Sequence, residues 1–297
     1  DQQDELLGPS MAAQECDCDF ITSGQNVVDG KILQWYTETF IQEPIEKRGI
    51  DNNLWLWEHP DYTKSYVVSA DVGRGDGQDY SAFHVFDTKE LRQVAEYKGK
   101  ISTKEFGNLL VNTATEYNDA LLIVENNNVG WATIQQCIDR DYKNLFYSSR
   151  DLKYIDVSNQ MTNKYRNEDK QMVAGFSTTL KTRPLIVDKM DEYFRSKDVT
   201  VRSKRLIDEL FTFIYDNGKA QAMQGAHDDL VMSLCIGLWV RDTALRLNTE
   251  RLDRQKGMMG SIGTSEILYS SDDAENDTWK WSPDGKNEEN LNWLLDK

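Results

Sequence analysis

The sequence predicts an α/β domain built on a mixed sheet with helices on both faces. Three observations carry that reading. Strand-like segments at 65–71 (SYVVSAD), 81–87 (SAFHVFD) and 93–99 (QVAEYKG) follow one another across short turns, the spacing of an antiparallel meander. The run 120–126 (ALLIVEN) is apolar almost throughout, as a strand covered on both faces must be, and it stands between two helical patterns. Residues 228–245 (DDLVMSLCIGLWVRDTAL) form a strongly apolar helix opened by two aspartates.

Residues 1–64 read as a lead-in that packs on the core. DQQDELLGP reads as a helix already under way, and the chain therefore as a fragment of a longer protein. MAAQECDCDFITSG follows as a strand, and DNNLWLWEHP (51–60) alternates as another, closed by Pro60. The core spans 65–248. Within it, 103–118 places Phe106, Leu109, Leu110 and Ala114 at helical spacing, with Thr103 as the N-cap. VGWATIQQCIDRD reads as a helix and LFYSS as a strand. The polar interval 150–175 reads as a hairpin or mobile loop. Helices are expected at about 176–196 and at 205–216, the second through Leu206, Leu210 and Phe213, with GKAQAMQGA as a strand or turn. Residues 249–297, acidic at SSDDAEND, read as a flexible tail, with LNWLLDK as a short terminal helix.

The 297 residues carry a formal net charge of −16, against the sign expected of a phosphate binder. That sum averages over the chain, and a local basic stripe is what binds nucleic acid. No apolar run approaches the ~20 residues of a membrane span, and no signal-peptide pattern opens the sequence. The four cysteines are Cys16, Cys18, Cys137 and Cys235; the Cys-x-Cys pair lacks the partners of a zinc site, and a reducing compartment is expected.

The chemistry-bearing pattern is acidic. Asp71 ends the first core strand, Glu125 ends the LLIVE strand, and Asp228 and Asp229 open the last helix after GAH. If the first and fourth core strands pair in parallel, Asp71 and Glu125 lie side by side at the carboxyl ends, where open α/β sheets bind ligands. Carboxylates so close repel and raise one another's pKa. Hard divalent cations with oxygen ligands relieve that repulsion. Two ions, Mg or Mn, ~3.5–4 Å apart would clamp the attacking water and the leaving oxygen of an in-line phosphoryl displacement. The candidate catalytic residues are Asp71, Glu125 and Asp229; the candidate metal ligands are Asp71, Glu125, Asp228, Asp229 and Asp79. Asp76 reads as a turn residue, and His227 as either a water-orienting or a structural group. Each acid alone has a plainer reading, as a turn former or a helix cap favoured by the dipole. The three settings together favour the metal.

SADVGRGDGQDYSAFHVFD, ALLIVENNNVGWATIQQC and GAHDDLVMSLCIGLW, in this order, resemble the nuclease domain of tailed-phage terminase large subunits. KTRPLIVDKMDEYF, LIDELFTFIYDNGKAQA and MAAQECDCDFITSG are similar to the same domain, so the resemblance covers residues 1–248. It implies a ribonuclease H-like fold, whose βββαβαβα order the chain shares. It implies Mg- or Mn-dependent endonuclease cleavage of double-stranded concatemeric DNA during genome packaging. It gives metal-ligand roles to Asp71, Glu125 and one or both of Asp228 and Asp229. The implied partners are the packaging ATPase domain of the same parent chain, the capsid portal and the small terminase subunit, in the host cell cytoplasm and away from membranes. One departure stands out: no G-x-x-x-x-G-K-[ST] motif is present, so the chain is not expected to translocate DNA by itself. DNA contact is expected from the basic interval 160–205, first from Lys164, Arg166 and Lys170, and should be phosphate-directed and salt-sensitive.

Three other readings share some of these features. An actin- or sugar-kinase-like ATPase needs a second Asp-x-Gly turn and a glycine-rich adenosine site, which the sequence lacks. Another ribonuclease H-like nuclease, such as a resolvase, would keep the carboxylates and differ in substrate. A non-catalytic module docking on a capsid portal would bind and not cut.

Overall fold

The computed structural model describes residues 26–49, 51–74, 79–127, 129–149 and 172–242, with two short strands at 280–281 and 289–290. The chain divides into two units, Asp1–Asn248 and Thr249–Lys297. In the second, Lys280–Trp281 pairs antiparallel with Glu289–Asn290. The expected terminal helix LNWLLDK, the cysteines Cys16 and Cys18, and the first 25 residues lie outside the described residues.

The first unit opens with α1 (Gly30–Thr39), started by the Asp29 side chain accepting from the Lys31 N–H. Strands β1 (Glu46–Arg48), β2 (Leu54–Leu56), β3 (Tyr66–Asp71), β4 (Ser81–Asp87) and β5 (Arg92–Gly99) follow, then α2 (Thr103–Glu116), β6 (Leu121–Val124) and α3 (Gly130–Asp139). These six strands form one sheet in the order β1-β2-β5-β4-β3-β6. All neighbours are antiparallel except β3 and β6, which pair in parallel from Val67↔Leu121 to Ala70↔Val124. Central position explains composition: β4 is buried at every residue and carries Ala, Phe and Val on both faces. The two lead-in strands β1 and β2 extend the sheet from the β5 edge.

Each face is covered. Val68, Ala70, Phe83, Val85, Leu122 and Val124 pack with α2 and α3 through Phe106, Leu110 and Ile134. Val67, Ala82, Phe86 and Ile123 pack on the other face with three helices: α4 (Thr182–Ser196), α5 (Lys204–Phe211) and α6 (residues 229–242). The period-2 alternation therefore sends Val67, Ser69 and Asp71 toward α6. Helix α6 lies close on β3 there: a Cβ added to Gly237 would come within 2.5 Å of Ser69 Oγ.

Three sequence expectations shift. The cap of α2 is Ser102, not Thr103: its hydroxyl accepts from the Glu105 N–H at 3.3 Å while donating to the Glu105 carboxylate at 2.7 Å, the S-x-x-E pairing of a capping box with the return bond made to the hydroxyl. Helix α4 begins at Thr182 rather than near 176. Phe176 is tied to the end of β6 by bonds to Val124 O and from Asn126 N–H, both 2.9 Å, which helical backbone would not permit. The predicted helix 205–216 stops at Phe211. Strand β9 (Phe213–Asp216) then turns back as β10 (Lys219–Ala222). Asn217 and Gly218, at φ 50 and 77, supply the left-handed pair that a two-residue hairpin turn demands. The last residues of the interval 150–175 form β8 (Met172–Ala174), which pairs antiparallel with β7 (Tyr147–Ser149); residues 150–171 lie outside the described residues.

Candidate active site

The parallel register of β3 and β6 continues one step past β6. The Glu125 N–H donates to Ala70 O at 2.9 Å, so Glu125 stands beside Asp71 with both carboxyls on the α6 face. Asp71 pairs with Ala82 of β4, and Ala82 with Lys98 of β5. One rank across the sheet thus reads Glu125, Asp71, Ala82, Lys98. The next rank inward reads Ile123, Ser69, His84, Glu96.

Electrostatics sets the outer rank apart. Burial pushes the Asp71 carboxyl well above the usual range, and the Glu125 charge and a side-chain hydrogen bond to Glu125 push it further, with Asp229 and Asp228 adding to the effect. Asp229, on the first turn of α6, is pushed up to about 6 by burial, against the pull of Lys98 and His227. Its Oδ2 is buried with no hydrogen-bond partner among the described residues; His227 Nδ1 stands 3.6 Å away. Asp228 is the residue before the helix, its carbonyl accepting from the Met232 N–H at 2.8 Å. Its side chain is committed to Arg183, Nη2 to Oδ2 at 2.5 Å. Asp79 is exposed and acts on Asp229 only through its charge.

Three side chains without a motif hold this arrangement. Glu209 of α5 bonds Lys98 Nζ at 2.5 Å through Oε1, and through Oε2 it accepts from the Leu230 and Val231 N–H groups at 2.9 and 3.2 Å. It thereby caps the start of α6 from a neighbouring helix and joins it to Lys98. Asn127 Nδ2 donates to Glu125 Oε1 at 2.8 Å and to Thr178 O at 3.0 Å. Arg183 fixes Asp228. Lys98 had a faint sequence signal, since a meander with 81–87 paired to 93–99 puts it in line with Asp71. Glu209 and Arg183 had none, because their partners come from distant elements; Asn127 stands two residues from Glu125, inside the ALLIVENNNVGWATIQQC stretch, and was passed over there.

The donor set is oxygen throughout: two carboxyls forced into contact and a third with an orphan buried oxygen. That is the chemistry hard divalent cations satisfy. Among the described residues no three His, Cys, Asp or Glu side chains stand close enough to hold an ion as they are. Asp71 and Glu125 meet each other, and Asp228 turns to Arg183. Asp76, Lys164, Arg166 and Lys170 lie outside the described residues. Cys137 and Cys235 are buried free thiols.

No family model matches the sequence. Among solved structures, the large terminase nuclease from thermophilic phage G20c with bound cobalt aligns at a TM-score of 0.53 and 19% identity, over 72% of this chain and 97% of that one. The same nuclease with bound magnesium gives the same values. The fold is that of the large terminase nucleases. Its six-stranded mixed sheet between two helical layers is the ribonuclease H-like α/β architecture that the sequence predicts. In this terminase nuclease fold, Asp71 and Glu125 occupy the carboxyl ends of the one parallel strand pair in the sheet. No helix among the described residues is long and apolar enough to cross a membrane.

Proposed function

We propose that the chain is a divalent-metal-dependent endonuclease that cuts double-stranded DNA, the nuclease part of a genome-packaging terminase. The observation that carries this reading is the in-register pair Asp71 and Glu125 in side-chain contact, with the unsatisfied Asp229 carboxylate acting on Asp71 from α6. Asp71, Glu125 and Asp229 are the metal-holding residues, with Asp228 and Asp79 as flanking acids. The likeness to a nuclease solved with cobalt and with magnesium supports a divalent ion; Mg or Mn, in two positions, fits the oxygen donors. When bound, such ions polarise the phosphodiester and lower the pKa of water.

The chain's own residues supply the rest. Asn127 holds the Glu125 carboxylate by Oε1 and fixes its orientation beside Asp71. Glu209 fixes the height of the first turn of α6, and so of Asp229. Arg183 pairs with Asp228 and offsets part of the charge it brings to the site. Cleavage of concatemeric DNA would take place in the host cell cytoplasm. The chain's partners there would be a packaging ATPase domain, the small terminase subunit and the capsid portal.

The test is cleavage of supercoiled plasmid in Mg or Mn by the wild type and by Asp71→Asn. Nicked and linear products from the wild type alone, lost by at least about a hundredfold in the variant, are expected, on the scale of removing a group that stabilises transition-state charge. Plasmid left intact by the wild type across a metal and protein titration removes the reading. A strong preference for four-way junctions over linear duplex redirects it to a resolvase.

A further inference from the structure

The carboxylate rank is bordered on both sides by a pair of cations two residues apart, and in each pair one member is already engaged. On the β5 side, Lys98 is bound to Glu209, while Lys100 is exposed. On the β6 side, Arg183 is bound to Asp228, while Lys181 is exposed. Among the described residues no carboxylate lies within ion-pair distance of Lys100 or Lys181. In a chain of net charge −16, next to four acids, that is an arrangement without an internal use.

The Lys100 side chain is directed by its surroundings, and Lys181 is placed by its backbone. Lys100 Nζ sits over the Tyr80 ring at 5.1 Å, beside Lys98 Nζ at 4.8 Å. Tyr80 meets His227 edge-on at 5.0 Å, and His227 adjoins Asp229. The tyrosine face thus draws the Lys100 ammonium toward the site. Lys181 follows the segment 176–180, which is fastened to the site by the Glu125↔Phe176 bridge and by the Asn127 bond to Thr178 O. From that segment to β5 there are four strand spacings, about 19 Å in all. At ~3.4 Å per nucleotide along a strand, that distance covers about five or six nucleotides.

We propose that Lys100 and Lys181 bind backbone phosphates of a DNA duplex on either side of the phosphodiester held at the carboxylate rank, so that the strand crosses the sheet end from β5 toward β6. The inference rests on the nuclease reading and adds the direction and footing of its substrate. The two engaged cations play a different part: they offset the acids, and only the free pair is left to meet phosphate.

The test is duplex binding by the full chain carrying Asp71→Asn, followed by anisotropy of a labelled duplex across a salt titration. Lys100→Met and Lys181→Met are each expected to weaken binding about tenfold near 0.1 M salt and to flatten the log–log salt slope by about 0.9, with about 1.8 for the double variant. Lys100→Arg and Lys181→Arg should restore the slope, which a merely structural role would not require. Lys89→Met, in the β4–β5 turn at the opposite end of the sheet, removes the same charge and should leave the slope unchanged. Equal affinity and slope in the wild type and the double variant overturn the inference while leaving the nuclease reading intact. A wild type that neither binds nor cuts duplex overturns both.

Discussion

Two adjacent ranks on the same face of the sheet carry acids and have opposite fates. In the inner rank, Glu96 has no solvent exposure, yet its oxygens accept from Arg205 Nε at 2.9 Å and Gln93 Nε2 at 3.0 Å. Gln93 also donates to His84 Nδ1 at 2.9 Å, which leaves His84 Nε2–H to donate to Leu230 O at 3.0 Å. Burial holds that imidazole below its usual pKa, so the ring is neutral and the network closes on itself. In the outer rank, about 7 Å away along the strands, Asp71 and Glu125 press on each other with no cationic partner among the described residues, Glu125 holding only the neutral Asn127 amide, and Asp229 has an unmet oxygen. A buried acid with its partners built in is structural. A set of acids left short of positive charge is waiting for a cation from outside.

The largest test of that contrast is Arg205→Met. It strands the fully buried Glu96 carboxylate and should cost about 3–5 kcal/mol in denaturant melts, far more than Glu96→Gln, because Arg205 itself is 22% exposed and can turn to water. Equal losses would break the comparison. Next comes Asp229→Asn, which should stabilise the protein in chelator. Its carboxyl ionises at about 6 in the folded chain and near 3.8 when free. The folded state therefore holds the extra proton between those values, and stability falls as pH rises through that window. Removing the charge should return about 1–3 kcal/mol near pH 8 and nothing below about pH 4. A destabilised variant at pH 8 would mean that the outer rank is satisfied after all. The smallest effect is that of Glu209→Gln: the amide oxygen can still accept from the Leu230 and Val231 N–H groups, and burial already pushes the Glu209 carboxyl up to about 7, so the buried Lys98 pair gives up only part of a full ion pair, at about 1–2 kcal/mol.

The sheet was legible because its signals are local. Strand 81–87 falls where its alternation and flanking turns put it, and the parallel placement of Asp71 beside Glu125 follows from two apolar runs ending on acids. Helix α5 misled at its end because Leu206, Leu210 and Phe213 keep helical spacing into the hairpin, and tertiary pairing of β9 with β10 overrode it. The Asn217-Gly218 pair held the correction in plain view. The supports of the site were illegible for a different reason: Glu209 reaches Lys98 across 111 positions of sequence and Arg183 reaches Asp228 across 45. No local pattern encodes such pairings.

Gly237 shows how far from the chemistry a substitution can act. It lies eight residues beyond Asp229, about 12 Å along α6. A methyl group there would collide with Ser69, the residue two before Asp71. Ser69 would have to swing its hydroxyl aside and α6 give by a few tenths of an ångström, a shift that its acidic tip would share. An alanine at this hidden pivot should therefore mimic an active-site lesion while leaving every reactive side chain in place.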